Sequence, residues 1–69
     1  MDEQIMREYQ NKRNGGRERV YRIGGKYFIN SDWGNGFSSD LTPVSETDMR
    51  NCLDFTNAPQ NVVDSILNR

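Results

Sequence analysis

Sixty-nine residues allow one small domain, and a chain this short buries only about 60% of the surface it exposes when unfolded, so its core is thin. A hydrophobic content of 33%, a charged content of 28% and a net charge of −1 exclude the composition of a disordered chain. The absence of histidine and a single cysteine, Cys52, exclude an internal disulfide, the usual zinc sites and histidine-based catalysis.

The longest apolar run is Tyr27-Phe28-Ile29, far too short for a membrane span, and the opening Met1-Asp2-Glu3-Gln4 lacks the basic-then-apolar pattern of a secretory leader. A cytoplasmic protein is expected. Charge is uneven along the chain. Residues 1–26 carry seven basic and four acidic side chains, a net of +3, whereas residues 27–69 carry two basic and six acidic, a net of −4. Such an asymmetry is a hint of a polyanionic or acidic partner, although two halves folded against each other partly cancel it.

In chain order, residues 2–13 predict a helix. Asp2 and Glu3 stand in its first turn and Lys12 and Arg13 in its last, as the helix dipole favours. Glu3 with Arg7, and Glu8 with Lys12, are four apart in the favourable order. Ile5, Met6 and Tyr9 supply a narrow apolar stripe, and Asn14-Gly15-Gly16 stops the helix.

Residues 17–30 predict a β-hairpin closed by Gly24-Gly25 in a primed two-residue turn. Closure there pairs Ile23 with Lys26, Arg22 with Tyr27, Tyr21 with Phe28 and Val20 with Ile29. Alternation puts Tyr21, Ile23 and Phe28 on one face and Val20, Arg22, Tyr27 and Ile29 on the other. Both faces are partly apolar. The first is expected to meet the helices, through Leu53, Val63, Ile66 and Leu67. Residues 31–36 read as a loop, and residues 37–42 as a weak edge strand ended by Pro43.

The rest reads as two helices, about 46–55 and 58–68. Ser45 with Asp48 approximates a capping box, and Met49, Cys52 and Leu53 repeat at helical spacing. Asn57 is placed to cap the second helix, Pro59 fits its first turn, and Val62, Val63, Ile66 and Leu67 give it an apolar face. The expected architecture is α+β: one domain of order α-β-β-(β)-α-α, with an antiparallel hairpin or three-stranded meander packed against helices.

Chemistry-bearing candidates are few. Cys52 lies on the apolar stripe of an acidic helix with no base to activate it, and reads as a packed structural thiol. Asp48 and Asp54 face different sides of their helix, and Asp32 and Asp40 flank a loop in a chain too small for a deep cleft. The loop from Asn30 to Gly36 is rich in oxygen ligands, but Gly34 stands at a ligand position of the EF-hand pattern and the closing glutamate is missing. Gly24-Gly25-Lys26 lacks the spacing of a phosphate-binding loop. No catalytic residue, metal or cofactor is expected.

Two features point to binding. Trp33, the only tryptophan, stands on a glycine-flanked loop. It either folds back over the open end of a small core, the reading favoured here, or stands out as an interface anchor. Arg17, Arg19, Arg22 and Lys26 are interleaved with Tyr21, Tyr27 and Phe28, a combination that can grip phosphates and stack on bases. The α-β-β-β-α order resembles double-stranded-RNA-binding domains. However, residues 43–48 are acidic where those domains carry a lysine cluster, so the family is not carried over. The last helix carries no basic residue before Arg69 and would make a poor DNA-recognition helix.

The expected function is that of a small non-catalytic interaction module or inhibitor that binds another protein, of the kind found among accessory proteins of bacteria and their phages. The alternative is a nucleic-acid-binding protein that uses the basic hairpin of residues 17–26. Candidate binding residues are Arg17, Arg19, Arg22, Lys26, Tyr27 and Trp33. No membrane contact is expected, and the chain is expected as a monomer or weak homodimer.

Overall fold

The computed structural model describes residues 4–67. Four strands, β1 (Gln4–Gln10), β2 (Arg17–Ile23), β3 (Lys26–Asp32) and β4 (Thr42–Val44), form an antiparallel sheet in the order β1-β2-β3-β4. Two helices, α1 (Glu46–Asp54) and α2 (Gln60–Ile66), follow and cover one face of it. The α+β class and the antiparallel sheet packed against helices are therefore as the sequence predicts. No helix among the described residues is long and apolar enough to cross a membrane.

The β2–β3 hairpin has the predicted register, Ile23 opposite Lys26 through Val20 opposite Ile29, and continues past residue 30 to Arg17 opposite Asp32. Gly24 and Gly25 both take positive φ, 57° and 79°, as the type I′ form of the primed turn requires. Serine 45 caps α1 as expected, its Oγ accepting from Asp48 N at 3.1 Å.

The first segment departs from expectation. The helix predicted over 2–13 is a strand where it is described, and residues 2 and 3 lie outside the described residues. Ile5 and Tyr9 are four apart, a spacing that places them on one side of either a helix or a strand, so periodicity could not decide. Long-range pairing decides it: the whole of β1 is matched residue for residue to β2. Glu8 turns to Arg19 and Arg17 across the strands instead of to Lys12. Asn14-Gly15-Gly16 closes a hairpin rather than ending a helix, with Asn11 N donating to Gly16 O at 2.7 Å and Gly15 at φ 75°. A strand first in the order also removes the topological likeness to double-stranded-RNA-binding domains.

Two smaller corrections concern the later chain. The edge strand predicted over 37–42 is instead β4, which pairs Thr42, Pro43 and Val44 with Ile29, Phe28 and Tyr27. Pro43 lies within the strand because an edge strand can leave one side without donors. Asn57 does not cap α2. Its Oδ1 accepts from Gln10 N and its own N–H donates to Gln10 O at 3.1 Å, while the cap position falls to Pro59. The helix predicted over 58–68 is observed over 60–66, and residue 68 lies outside the described residues.

The largest correction is the choice of sheet face. The helices cover the face of Val20, Arg22, Tyr27 and Ile29, not that of Tyr21, Ile23 and Phe28. The core unites Val20 with Met49, Leu53, Val63, Ile66 and Leu67, and Tyr9, Tyr27, Ile29 and Val44 pack against it. The hairpin alone is balanced between its faces. β1 and β4 break the balance, since register puts Ile5, Tyr9 and Val44 on the side of Val20. Arg22 is only 8% exposed, yet it does not penalise that side. Its Nη1 donates to Ile66 O at 2.8 Å and to Ser65 O at 3.2 Å, at the C-terminal end of α2, where the helix dipole favours a cation.

Two substitutions test this arrangement. Leu67→Ala should cost about 2–4 kcal/mol in urea unfolding, whereas Ile23→Ala on the open face should cost clearly less. Arg22→Met should cost about 1.5–3 kcal/mol, because two carbonyls lose a charged donor. Equal losses for Leu67→Ala and Ile23→Ala would reverse the assignment of faces.

Candidate functional site

The six candidate binding residues separate by strand parity. Arg22 and Tyr27 lie on the helix-covered face, where Arg22 ties β2 to α2 and Tyr27 packs against the core. Their roles are structural, which corrects their selection as binding residues. Lys26 is exposed at the Gly24-Gly25 turn, next to Tyr27 and at the end of the hairpin away from Arg17. Arg17, Arg19 and Trp33 come together near the opposite end.

There the open face is a closed charge network. Arg19 Nε bonds Glu8 Oε1 at 2.9 Å, and Arg17 reaches Glu8 at 3.6 Å and Asp32 Oδ2 at 3.2 Å. The hydrogen bond to Glu8 pushes the Arg19 guanidinium above its already high range. Phe37, which sequence reasoning placed on an edge strand, folds over this network. The Arg19 guanidinium lies 3.8 Å and that of Arg17 5.6 Å from its ring centre. No local sequence signal links Phe37 to two arginines so distant in the chain. Below it, Glu18 is buried on the other face and accepts from Asn11 Nδ2 at 3.0 Å and from Ser31 Oγ.

Trp33 does not fold over the core as the sequence reading favoured. It is 73% exposed, the largest exposed aromatic among the described residues. Gly16 shows how it is held: a Cβ there would stand 2.9 Å from Trp33 Cδ1 and 2.7 Å from Asp32 O, so only glycine fits beneath the indole. The loop that carries Trp33 is set by Asp32. Its Oδ1 accepts from Gly34 N at 2.8 Å and Gly36 N at 2.9 Å, and its Oδ2 accepts from Arg17. The carboxylate thus holds its own loop, not a cation. Among the described residues no group of three or more histidine, cysteine, aspartate or glutamate side chains is placed to hold a metal ion.

Beside Trp33 runs a groove. β4 pairs only with residues 27–29 of β3, so the stretch 30–32 lacks a strand neighbour on that side. The loop of residues 33–41 arches over the gap, tied down where Asn30 Nδ2 donates to Ser38 O at 2.6 Å. The space between, about 680 Å3 and open to solvent, is lined by Ile29, Trp33, Phe37 and Thr42 with Asn35 and Asp40. Cys52 does not line it and packs against the core. Burial, with a smaller contribution from the Glu18 charge, pushes its thiol up to about 11, so it is protonated at neutral pH. No protein-family model matches the chain, and comparison with curated proteins and with solved structures gives no significant match.

Two measurements check this geometry. Trp33 emission should be red-shifted and freely quenched by iodide; a blue-shifted, protected emission would return Trp33 to the core. The Gly34 N–H foremost, with Gly36 N–H and Arg17, holds the Asp32 carboxyl below its ordinary value of 3.8. A lowered value means that ionised Asp32 supports the folded loop in full above the unfolded value, and that this support is lost only as pH falls through the lowered one. Carboxyl-carbon NMR should therefore place the Asp32 midpoint below 3.8, and a midpoint at or above it would contradict the loop geometry.

Proposed function

We propose that the chain is a non-catalytic module that binds another protein through Trp33 and the groove beside it. The observation that carries this reading is the 73% exposure of a tryptophan at the rim of an apolar-lined groove. A small domain gains from burying its one tryptophan. Leaving it in water, seated on a glycine that keeps it there, is the arrangement expected of an interface anchor. Phe37 and Ile29 extend the apolar contact and Asp40 and Asn35 supply a polar rim. The single, partly buried Cys52 suits the reducing cytoplasm. A role as an accessory or inhibitory protein belongs to the same proposal.

The nucleic-acid alternative draws less support. Of its four cations, Arg22 is spent on α2, and Arg17 and Arg19 are held by Glu8 and Asp32. A phosphate would have to displace carboxylates already in place.

The test is a benzophenone photocrosslinker introduced in the source cell at position 33 and, as a control, at position 61 on exposed α2. A discrete adduct from position 33 alone is expected, with no binding of labelled duplex or single strand at physiological salt. No adduct, or equal adducts from both sites, would overturn the proposal. Micromolar oligonucleotide binding lost in Arg17→Glu/Arg19→Glu would install the alternative.

A further inference from the structure

The two edges of the sheet are unlike. β4 is three residues long and carries Pro43, which cannot donate to an added strand. β1 is seven residues long, and its outward backbone groups can be identified. Gln10 exchanges bonds with Asn57 beyond the sheet, while Asn11 N turns inward to Gly16 O. Alternation then points the N–H and C=O groups of Gln4, Met6 and Glu8 away from β2 as well. Residues 55–57 bond this edge at Gln10 and Lys12, with Thr56 bridging Asn11, all beyond Glu8. Met6 is 46% exposed on the open face, and its carbonyl accepts from the exposed Arg7 Nη1 at 2.9 Å.

We propose that β1 pairs antiparallel with β1 of a second copy of this chain, about a two-fold axis at Met6. Three features select this occupant and this register. Outward-facing residues must oppose one another for their hydrogen bonds to form, which matches Gln4, Met6 and Glu8 with Glu8, Met6 and Gln4 of the other copy. Centred on Met6, the pairing sets Arg7 against Ile5 and Glu8 against Gln4, with no like charges opposed. The next register toward Glu8 would set Arg7 against Arg7, which is destabilising. Finally, Met6, Tyr21, Phe28 and Pro43 form one transverse row across the open face, from β1 to β4. Pairing at Met6 joins two such rows into one apolar band across eight strands. Arg7 yields the Met6 carbonyl to the Met6 N–H of the other copy.

The interface lies at the edge opposite the Trp33 groove, so the two proposals stand or fall separately. Sedimentation equilibrium of the full chain, up to about 1 mM, should show the mass rising toward twice the monomer value. Met6→Glu and Met6→Lys should each remain monomeric, because like charges then meet across the axis. Mixed in equal amounts they should associate again. Circular dichroism melts of the dilute monomer should match the wild type, since the Met6 side chain lies on the open face outside the core. A wild type that stays monomeric to 1 mM would overturn the proposal, and so would variants that self-associate as well as the wild type. A mixture that fails to associate would overturn the Met6 register.

Discussion

The contact between the Arg22 guanidinium and the last carbonyls of α2 is the interaction on which the rest of the fold depends. A charged side chain in the middle of a sheet normally marks the solvent face. Here it faces the core, because the C-terminus of α2 offers two acceptors that also carry the negative end of the helix dipole. Glu18, four residues earlier on the same face, is likewise closed by Asn11 and Ser31. With both charges satisfied, Val20 is buried and Ile29 packs against the core. Among the described residues no buried side-chain polar atom lacks a partner.

Everything exposed follows from that choice. The helices are spent on one face, so Met6, Tyr21, Phe28 and Pro43 remain on the other. Near one end, Phe37 and the network of Glu8, Arg17, Arg19 and Asp32 cover the open face, and Trp33 stands beyond them in water. The basic residues of the hairpin are thereby absorbed into the architecture. That is the physical reason for proposing a protein partner at Trp33 ahead of a phosphate backbone along β2.

What could be read in advance was what local rules determine. Gly24-Gly25 sets the hairpin register, because adjacent positive-φ residues leave the turn little choice. Ser45, Met49 and Leu53 define α1 by cap and spacing. What could not be read depends on distant partners. β1 carries helix-compatible charges and an ambiguous Ile5–Tyr9 spacing, and only pairing with β2 makes it a strand. The face choice needed β1 and β4 in place first. Phe37 met Arg19, and Trp33 met Gly16, through contacts that no sequence period encodes. The candidate site was half legible for the same reason: Arg17, Arg19 and Trp33 converge, whereas parity sends Arg22 and Tyr27 to the opposite side of the sheet.

The central claim is that the helices cover Val20 and Arg22 and leave Tyr21 and Phe28 open. It is tested most directly by through-space NMR contacts from the methyl groups of Met49, Leu53 and Ile66. The account predicts cross-peaks from these methyls to Val20 and none to the rings of Tyr21 or Phe28. Cross-peaks to Tyr21 and Phe28, with none to Val20, would contradict it.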